Sequence, residues 1–581
     1  MYDEMKKFAS SLSLVAWVAL VPLLAACNEF FEPEADNVLP ESSYIDKESE
    51  MYRGYLGICT RMQEVGDQAI YLTDTRCNYL ETTGNAPVEL QNLCRYEPTD
   101  GNSYADPTGY YAVVVACNDF LSKMDEFVER MDGALSDSAK VHIPRLVSCT
   151  LRHKVWAYTM LGRIYGEAYW FDTPVTELSS LDDVTKFEHL DMKGISDRCI
   201  ELLDNGIECC GQLVPANLTM DWTYWVDPVN GNDDYDYWKY MTPPWLPMRA
   251  ELASWRTAYE DEASARADWQ WVRDNVLGFL TDALVKGSDW YSCSMQNVVA
   301  YAQIFCTEQV YREQQIMGAV FYDYQNGQTN RLVQYFCPEY PSTDCYYLKP
   351  SEAALDIYGE SDLRGGTQEL MCRTIAGQLA FSKYYYTRLN NKGYLRTKIF
   401  EIEPTIPLYR SHELHFLLAE AENHLGHWDA ARTLLNTGIL NRFPGGSSTL
   451  PTDSIDGDRA WDERYADWFA PSGGYGDIGI VGCCRGTEYD LPALADGASA
   501  EEQFDFAFDE ERIRTYDIAL ATEFMKEYIG EGKSYSYLVK MAERYDDSDI
   551  IFDLIKRKYD ASLQSKVKQS LLSKRFIDWN L

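Results

Sequence analysis

The chain reads as mainly α-helical, with long loops between its helices and little β-structure. Two patterns predict the helices. Within residues 146–169, Leu151, Val155, Tyr158, Gly162, Tyr165 and Tyr169 recur at the spacing of one helix face. Residues 411–441 keep the same spacing and place small residues on both sides of a turn. A third observation predicts the loops. Runs rich in Gly, Pro, Asn and Asp separate these stretches, and such runs suit neither helix nor strand.

At the start of the chain, Lys6-Lys7 precede an apolar run from Leu12 to Leu24, which ends at Leu24-Ala25-Ala26-Cys27. A basic n-region, a short apolar core and small residues before a cysteine describe a lipoprotein signal. The run is too short for a ~30 Å hydrocarbon core. Residues 1–26 are therefore expected to be removed, leaving Cys27 as the lipidated first residue. Asn28-Glu29-Phe30-Phe31-Glu32-Pro33-Glu34 places three acids next to that anchor, so residues 27–50 read as a lipidated acidic tether.

Beyond it, the pattern over 146–169 predicts a helix stopped by Thr173-Pro174. Weaker helical patterns cover 111–131, 192–209, 266–285 and 294–317. In 411–441, Leu418, Ala419, Gly426, Ala431 and Leu435 fall where a tetratricopeptide repeat needs them. Small residues let two helices approach, and Gly426 turns the chain. Glu422 departs from the pattern, because an aromatic is usual there.

Composition narrows the function. The 581 residues hold 91 acids against 52 bases, a formal charge of −39, which repels nucleic acid. A hydrophobic content of 46% excludes a disordered chain. The 42 Tyr and 15 Trp point to half-wet surfaces where ligands are held. The 16 cysteines read as buried free thiols, because a chain this long does not need a disulfide scaffold. Cys209-Cys210 and Cys483-Cys484 are adjacent pairs, poorly spaced for one metal.

Several blocks resemble SusD/RagB nutrient-binding lipoproteins. They are Leu151-Arg152-His153-Lys154-Val155-Trp156-Ala157-Tyr158 running on to Arg163-Ile164-Tyr165-Gly166; Ser361-Asp362-Leu363-Arg364; Pro407-Leu408-Tyr409-Arg410 with Glu413; and Ala419 to Gly426. Asn436 and Asn441-Arg442 follow, then Ala519 to Glu523, Gly530-Glu531-Gly532-Lys533 and Leu538-Val539-Lys540. His412 and His415 depart from the family pattern, Lys540 stands for an arginine, and residues 577–581 show little of the closing motif.

The resemblance implies a right-handed superhelix of tetratricopeptide-like helix pairs with a loop-rich, ligand-facing side. It would occupy residues 51–581, with halves of about 51–290 and 291–581 that do not fold independently. It also implies a lipid-anchored protein on the outer face of the outer membrane, partnered by a SusC-like TonB-dependent transporter. The ligand would be a polysaccharide, an oligosaccharide or a peptide, with a glycan preferred, and no reaction is implied.

The residues favour binding too. Trp222, Tyr224 and Trp225 precede Asn230-Gly231-Asn232-Asp233-Asp234, and Tyr235, Tyr237, Trp238 and Trp245 follow it. Rings on such a loop suit the apolar faces of sugars, and its amides and acids suit hydroxyls. Further candidates are Asp74, Arg76, Asn78 and Tyr79, then Trp290 and Tyr291, and the tyrosines from Tyr335 to Tyr347.

No catalytic or metal-binding residue is assigned. Gly474-Tyr475-Gly476-Asp477-Ile478-Gly479 follows Pro471-Ser472 rather than a strand and reads as a loop. His412, His415, His424 and His427 read as helix-surface histidines. No cofactor is required. Asp227, Asn230, Asn232, Asp233 and Asp234, like Asp453, Asp456 and Asp458, read as solvated turn groups, with structural calcium as the alternative. A Gly-x-Ser-x-Gly elbow is missing, so a scaffold, an adhesin or a glycan-degrading enzyme are lesser readings.

Overall fold

The computed structural model describes residues 45–131, 133–174, 186–220, 241–286, 304–305, 315–324, 327–365, 371–385, 403–443, 450–469, 478–495 and 497–579. The signal, Cys27 and the acidic tether lie outside these residues.

Helices dominate. In chain order the principal ones are α1 (Glu50–Val65), α2 (Gln68–Thr73), α3 (Thr108–Met131), α4 (Asp137–Tyr165), α5 (Met192–Asn205), α6 (Trp245–Arg256) and α7 (Glu262–Lys286). After these come α8 (Ser411–His424), α9 (Trp428–Leu435), α10 (Glu510–Tyr528) and α11 (Ser534–Arg544). Neighbours in sequence pack together: α3 on α4, α6 on α7, α8 on α9 and α10 on α11. Contacts of α7 with α8 and of α8 with α10 join these pairs around one apolar core. Among the described residues, no helix is long and apolar enough to cross a membrane.

Among the described residues the β-structure consists of antiparallel two-stranded pieces. They include β1 (Leu80–Thr82), β2 (Glu167–Trp170), β3 (Glu188–Asp191), β4 (Ile207–Cys209), β5 (Gln212–Val214), β6 (Ile316–Val320), β7 (Leu348–Pro350), β8 (Cys372–Ile375), β9 (Gln378–Phe381) and β10 (Ile406–Arg410). β2–β3, β4–β5 and β8–β9 join near neighbours, whereas β1–β7 and β6–β10 join distant parts of the chain.

Three helix expectations need correction. The helix read over 146–169 starts earlier, where Ser136 Oγ accepts from Ala139 N, and it stops at Tyr165 rather than at Thr173-Pro174. Gly166 takes φ +79°, and its N–H donates to the Gly162 carbonyl at 2.8 Å. That left-handed cap suits glycine, and a Cβ there would meet the Phe576 ring at 2.6 Å. Tyr169 therefore lies on β2.

The helix read over 192–209 ends at Asn205, and Ile207–Cys209 turns into a hairpin instead. In the span 294–317, residues 304–305 are helical and Met317 lies on β6, paired with β10; residues 294–303 and 306–314 lie outside the described residues. β6 is short and fully apolar, and a run of that kind does not distinguish strand from helix by periodicity.

The repeat hairpin forms as expected. Gly426 turns α8 into α9 at φ +87°, and Ala419 and Ala431 are both buried. Glu422 is buried as well, and cations and a tyrosine meet it where the repeat usually carries an aromatic. Its carboxylate accepts from Tyr465 Oη at 2.6 Å, and His427 Nδ1 lies 2.6 Å away.

The tyrosine excess is largely interior. Eight of the largest fully buried side chains are Tyr55, Tyr71, Tyr110, Tyr158, Tyr165, Tyr384, Tyr385 and Tyr409. Tyr is useful there because one hydroxyl can satisfy an unpaired carbonyl at a helix end from inside the core. Tyr385 donates to Phe336 O at 3.1 Å, Tyr559 to Cys94 O at 3.1 Å and Tyr96 to Arg76 O at 3.0 Å.

Candidate functional site

The predicted aromatic loop lies mostly outside the described residues, including Trp222, Tyr224, Trp225, Tyr235, Tyr237 and Trp238. Its last member, Trp245, opens helix α6 instead of standing on a loop. It is half-buried, its Nε1–H donates to Leu203 O at 2.8 Å, and its ring meets Trp271 edge-on at 6.0 Å. Trp290 and Tyr291 lie outside the described residues.

Asp74, Arg76, Asn78 and Tyr79 are all buried. Asp74 Oδ2 accepts from Gly532 N at 2.9 Å, and Arg76 lies 4.7 Å over the Tyr96 ring. Ser351 holds the backbone of the other two, donating through Oγ to Asn78 O at 2.5 Å and through N to Tyr79 O at 2.9 Å. The segment thus ties α2 to residues near 351 and 532, and no ligand reaches these side chains in this conformation. Burial pushes the Asp74 carboxyl up to about 7, although the Gly532 N–H opposes the shift.

The structure assembles a ring ladder from the core to a half-exposed tyrosine. Tyr71 on α2 meets Tyr335, on the short helix Leu332–Phe336, at 4.6 Å. Tyr335 meets Tyr347 at 4.7 Å, and Tyr347 is half-exposed just before β7. The Tyr104 and Tyr335 hydroxyls lie 2.9 Å apart. Arg331, with its side chain 41% exposed, covers Tyr71 at 4.9 Å and pairs with Asp67 at 2.6 Å. Tyr71 and Tyr335 are buried, so the Tyr347 ring and Arg331 are the members of this group that a flat, hydroxyl-rich ligand could meet. Sequence spacing could not show this ladder, because its three rings come from segments more than 250 residues apart at the extremes.

No family model matches the chain, and no curated protein matches it in sequence. Solved structures do match in fold. A SusD homolog from Bacteroides thetaiotaomicron superposes with a TM-score of 0.57 at 11% identity, covering 94% of this chain and 96% of that one. A second SusD superfamily protein from the same organism gives 0.52 at 14% identity, with 90% and 97% covered. Surface glycan-binding protein A from Bacteroides fluxus gives 0.52 at 12% identity, with 89% and 94% covered. The fold is that of SusD superfamily proteins.

In this SusD-like fold the blocks quoted from the sequence converge on one interior charge network. Arg364 pairs with Asp362 at 2.8 Å, with Glu523 at 2.6 Å and with Glu527 at 3.3 Å. Arg410 bridges Glu527 and Glu531, each at 2.9 Å, and Lys383 also meets Glu531. Lys533 meets Glu413 at 2.6 Å and Lys540 meets Glu420 at 2.8 Å. Burial would raise the Glu527 pKa, but Arg410, His412 and Arg364 overcome it and hold the group down at about 2. These residues tie α8, α10 and α11 to one another and to the segments around Arg364 and Arg410, so the most legible motifs of the chain are architectural.

The histidines do not converge. His412, His415 and His427 are buried rather than on a helix surface, and His424 pairs with Asp517 at 2.9 Å. Of the acids at 453–458, Asp458 faces His427 and Arg273, and Asp456 faces Arg266 at 3.5 Å. The segment up to Trp579 also packs despite its weak motif. Ile577 N donates to Ile164 O at 3.0 Å, and Trp579 stacks on Tyr165 at 5.2 Å and on Tyr111 at 5.7 Å.

Proposed function

We propose that the chain is a lipid-anchored binding protein of the outer-membrane surface that captures a glycan and passes it to a SusC-like TonB-dependent barrel. The observation that carries this reading is the fold likeness over some nine-tenths of both chains, with a surface glycan-binding protein among the matches. The Leu24-Ala25-Ala26-Cys27 sequence supports the anchor. The chain uses its charged clusters to bind helices together, which favours capture over chemistry and leaves ring faces for a neutral ligand.

An array of polysaccharides and peptides, probed with the purified protein, tests the ligand. Retention of a glycan without turnover is expected. Retention of peptides alone would transfer the reading to peptide capture, and turnover of a retained polymer would make the protein an enzyme. Cys27→Ala is expected to release the protein from membranes, and a mature amino terminus without acyl groups would overturn the anchor. Co-purification of a barrel with the tagged protein tests the partner.

A further inference from the structure

The β4–β5 hairpin turns through Cys210 at φ +56° and Gly211 at φ +72°. Both central residues of this two-residue turn are left-handed, a position where Asn-Gly or Asp-Gly is normal. Cysteine at φ > 0 is an uncommon choice. It places the Cys210 thiol beside its neighbour, with Cys209 Sγ and Cys210 Sγ 3.6 Å apart. Two thiolates on one tetrahedral zinc, each ~2.3 Å from the metal, lie ~3.8 Å from one another. The pair is therefore already near a chelating separation.

A third ligand comes from another element. Asp125 on α3 accepts from Cys210 N at 2.7 Å, and its carboxylate and the two sulfurs all lie within 4.8 Å of one another. Cys209 is buried, whereas Cys210 and Asp125 are half-buried and in part exposed to solvent.

We propose that Asp125, Cys209 and Cys210 form a binding site for a thiophilic divalent cation of the zinc and cadmium class, with its fourth position open to solvent. The adjacent cysteines alone are too close in sequence to enclose a metal. The hairpin turn and the α3 carboxylate together supply three ligands. Loading a cation displaces the remaining thiol protons to water and leaves two thiolates and one carboxylate around the metal. The His412, Cys483 and Cys484 cluster also gathers ligand atoms, but all three of its residues are buried, whereas two of the three here are only half-buried.

The test is a titration of the reduced, chelator-treated full chain with cadmium alone, read by the ultraviolet thiolate-to-cadmium charge-transfer band. One equivalent is expected in the wild type. Cys209→Ser should abolish the band, and Asp125→Asn should weaken binding about tenfold or more. Cys210→Asn should also abolish it while keeping the fold, because asparagine suits the left-handed turn. A melting curve for this variant separates lost binding from lost folding. No band in the reduced wild type would overturn the proposal. A band that survives Cys210→Asn, or that disappears only in Cys483→Ser, would also overturn it.

Discussion

Arg273 on α7 and Glu422 on α8 form an ion pair inside the protein, with guanidinium Nε 3.1 Å from Oε2. The side chains are 3% and 0% exposed, so neither charge has water to fall back on. Tyr465 and His427 complete the carboxylate's surroundings, and Arg273 also faces Asp458 and Asp462. Charge complementarity thus replaces ring packing at the repeat position where an aromatic is usual.

Glu422→Ala should destabilise the protein by about 3–5 kcal/mol, because it leaves a buried guanidinium without its main partner. Denaturant unfolding measures the loss. Adding Arg273→Met should recover most of it, since removing both charges of a buried pair is often close to neutral. Simple addition of the two single losses would show that the pair is not coupled.

Asp74 and Glu527 should give opposite pH signatures. Asp74 is raised from 3.8 to about 7, so its contribution is fully present below pH 3.8 and is lost as pH rises through 7. Asp74→Asn should therefore gain stability over the wild type at pH 8, by up to ~4 kcal/mol, and show no gain near pH 4. Glu527 is lowered from 4.5 to about 2, so its contribution holds above 4.5 and is lost as pH falls towards 2. Glu527→Gln should accordingly cost most at neutral pH. Equal effects of Asp74→Asn at both pH values would refute the buried, uncharged carboxyl.

Ala431→Trp should overpack the seam between α8 and α9. Ala419 and Ala431 are both buried around the Gly426 turn, and overpacking a tight core costs ~1–3 kcal/mol. An unchanged melting temperature would mean that the seam has room the structure does not show.

The tryptophans near residue 240 should divide into two kinds. Trp245→Ala should lower heat stability, because it removes a donor to Leu203 O and a ring against Trp271. Replacing Trp222, Trp225 and Trp238 together by alanine should instead weaken glycan capture by ≥ ~2 kcal/mol in a folded protein, the scale of an interface hot spot. Calorimetry with a retained glycan decides. Full affinity in that triple variant would move recognition to the surface at Tyr347 and Arg331.

Much of the helical frame was legible from sequence. The α3, α4 and α7 patterns and the α8–α9 hairpin come from contacts three and four residues apart, which periodicity records. The ends were less legible. Gly166 stops α4 well before Thr173-Pro174 with a left-handed cap, and glycine is required there because the Phe576 ring fills the place a Cβ would need. The candidate site is legible only in part: Trp245, expected on a loop, begins a helix, and of the two readings open for Asp74, Arg76, Asn78 and Tyr79, ligand contact or loop-core packing, their burial fits the packing.

By itself the sequence determined the helical class, the turn at Gly426, the free-thiol expectation for the thirteen described cysteines and the set of charged blocks along the chain. Tertiary structure alone decided what those blocks do. Arg364 reaches Glu523 across 159 residues, Tyr71 reaches Tyr335 through a ring contact, and Cys210 reaches Asp125 across 85 residues. Helix formation depends on near neighbours and is written in local spacing. Burial, ion pairing and ligand grouping depend on which distant segments the core brings together, and no local pattern carries that information.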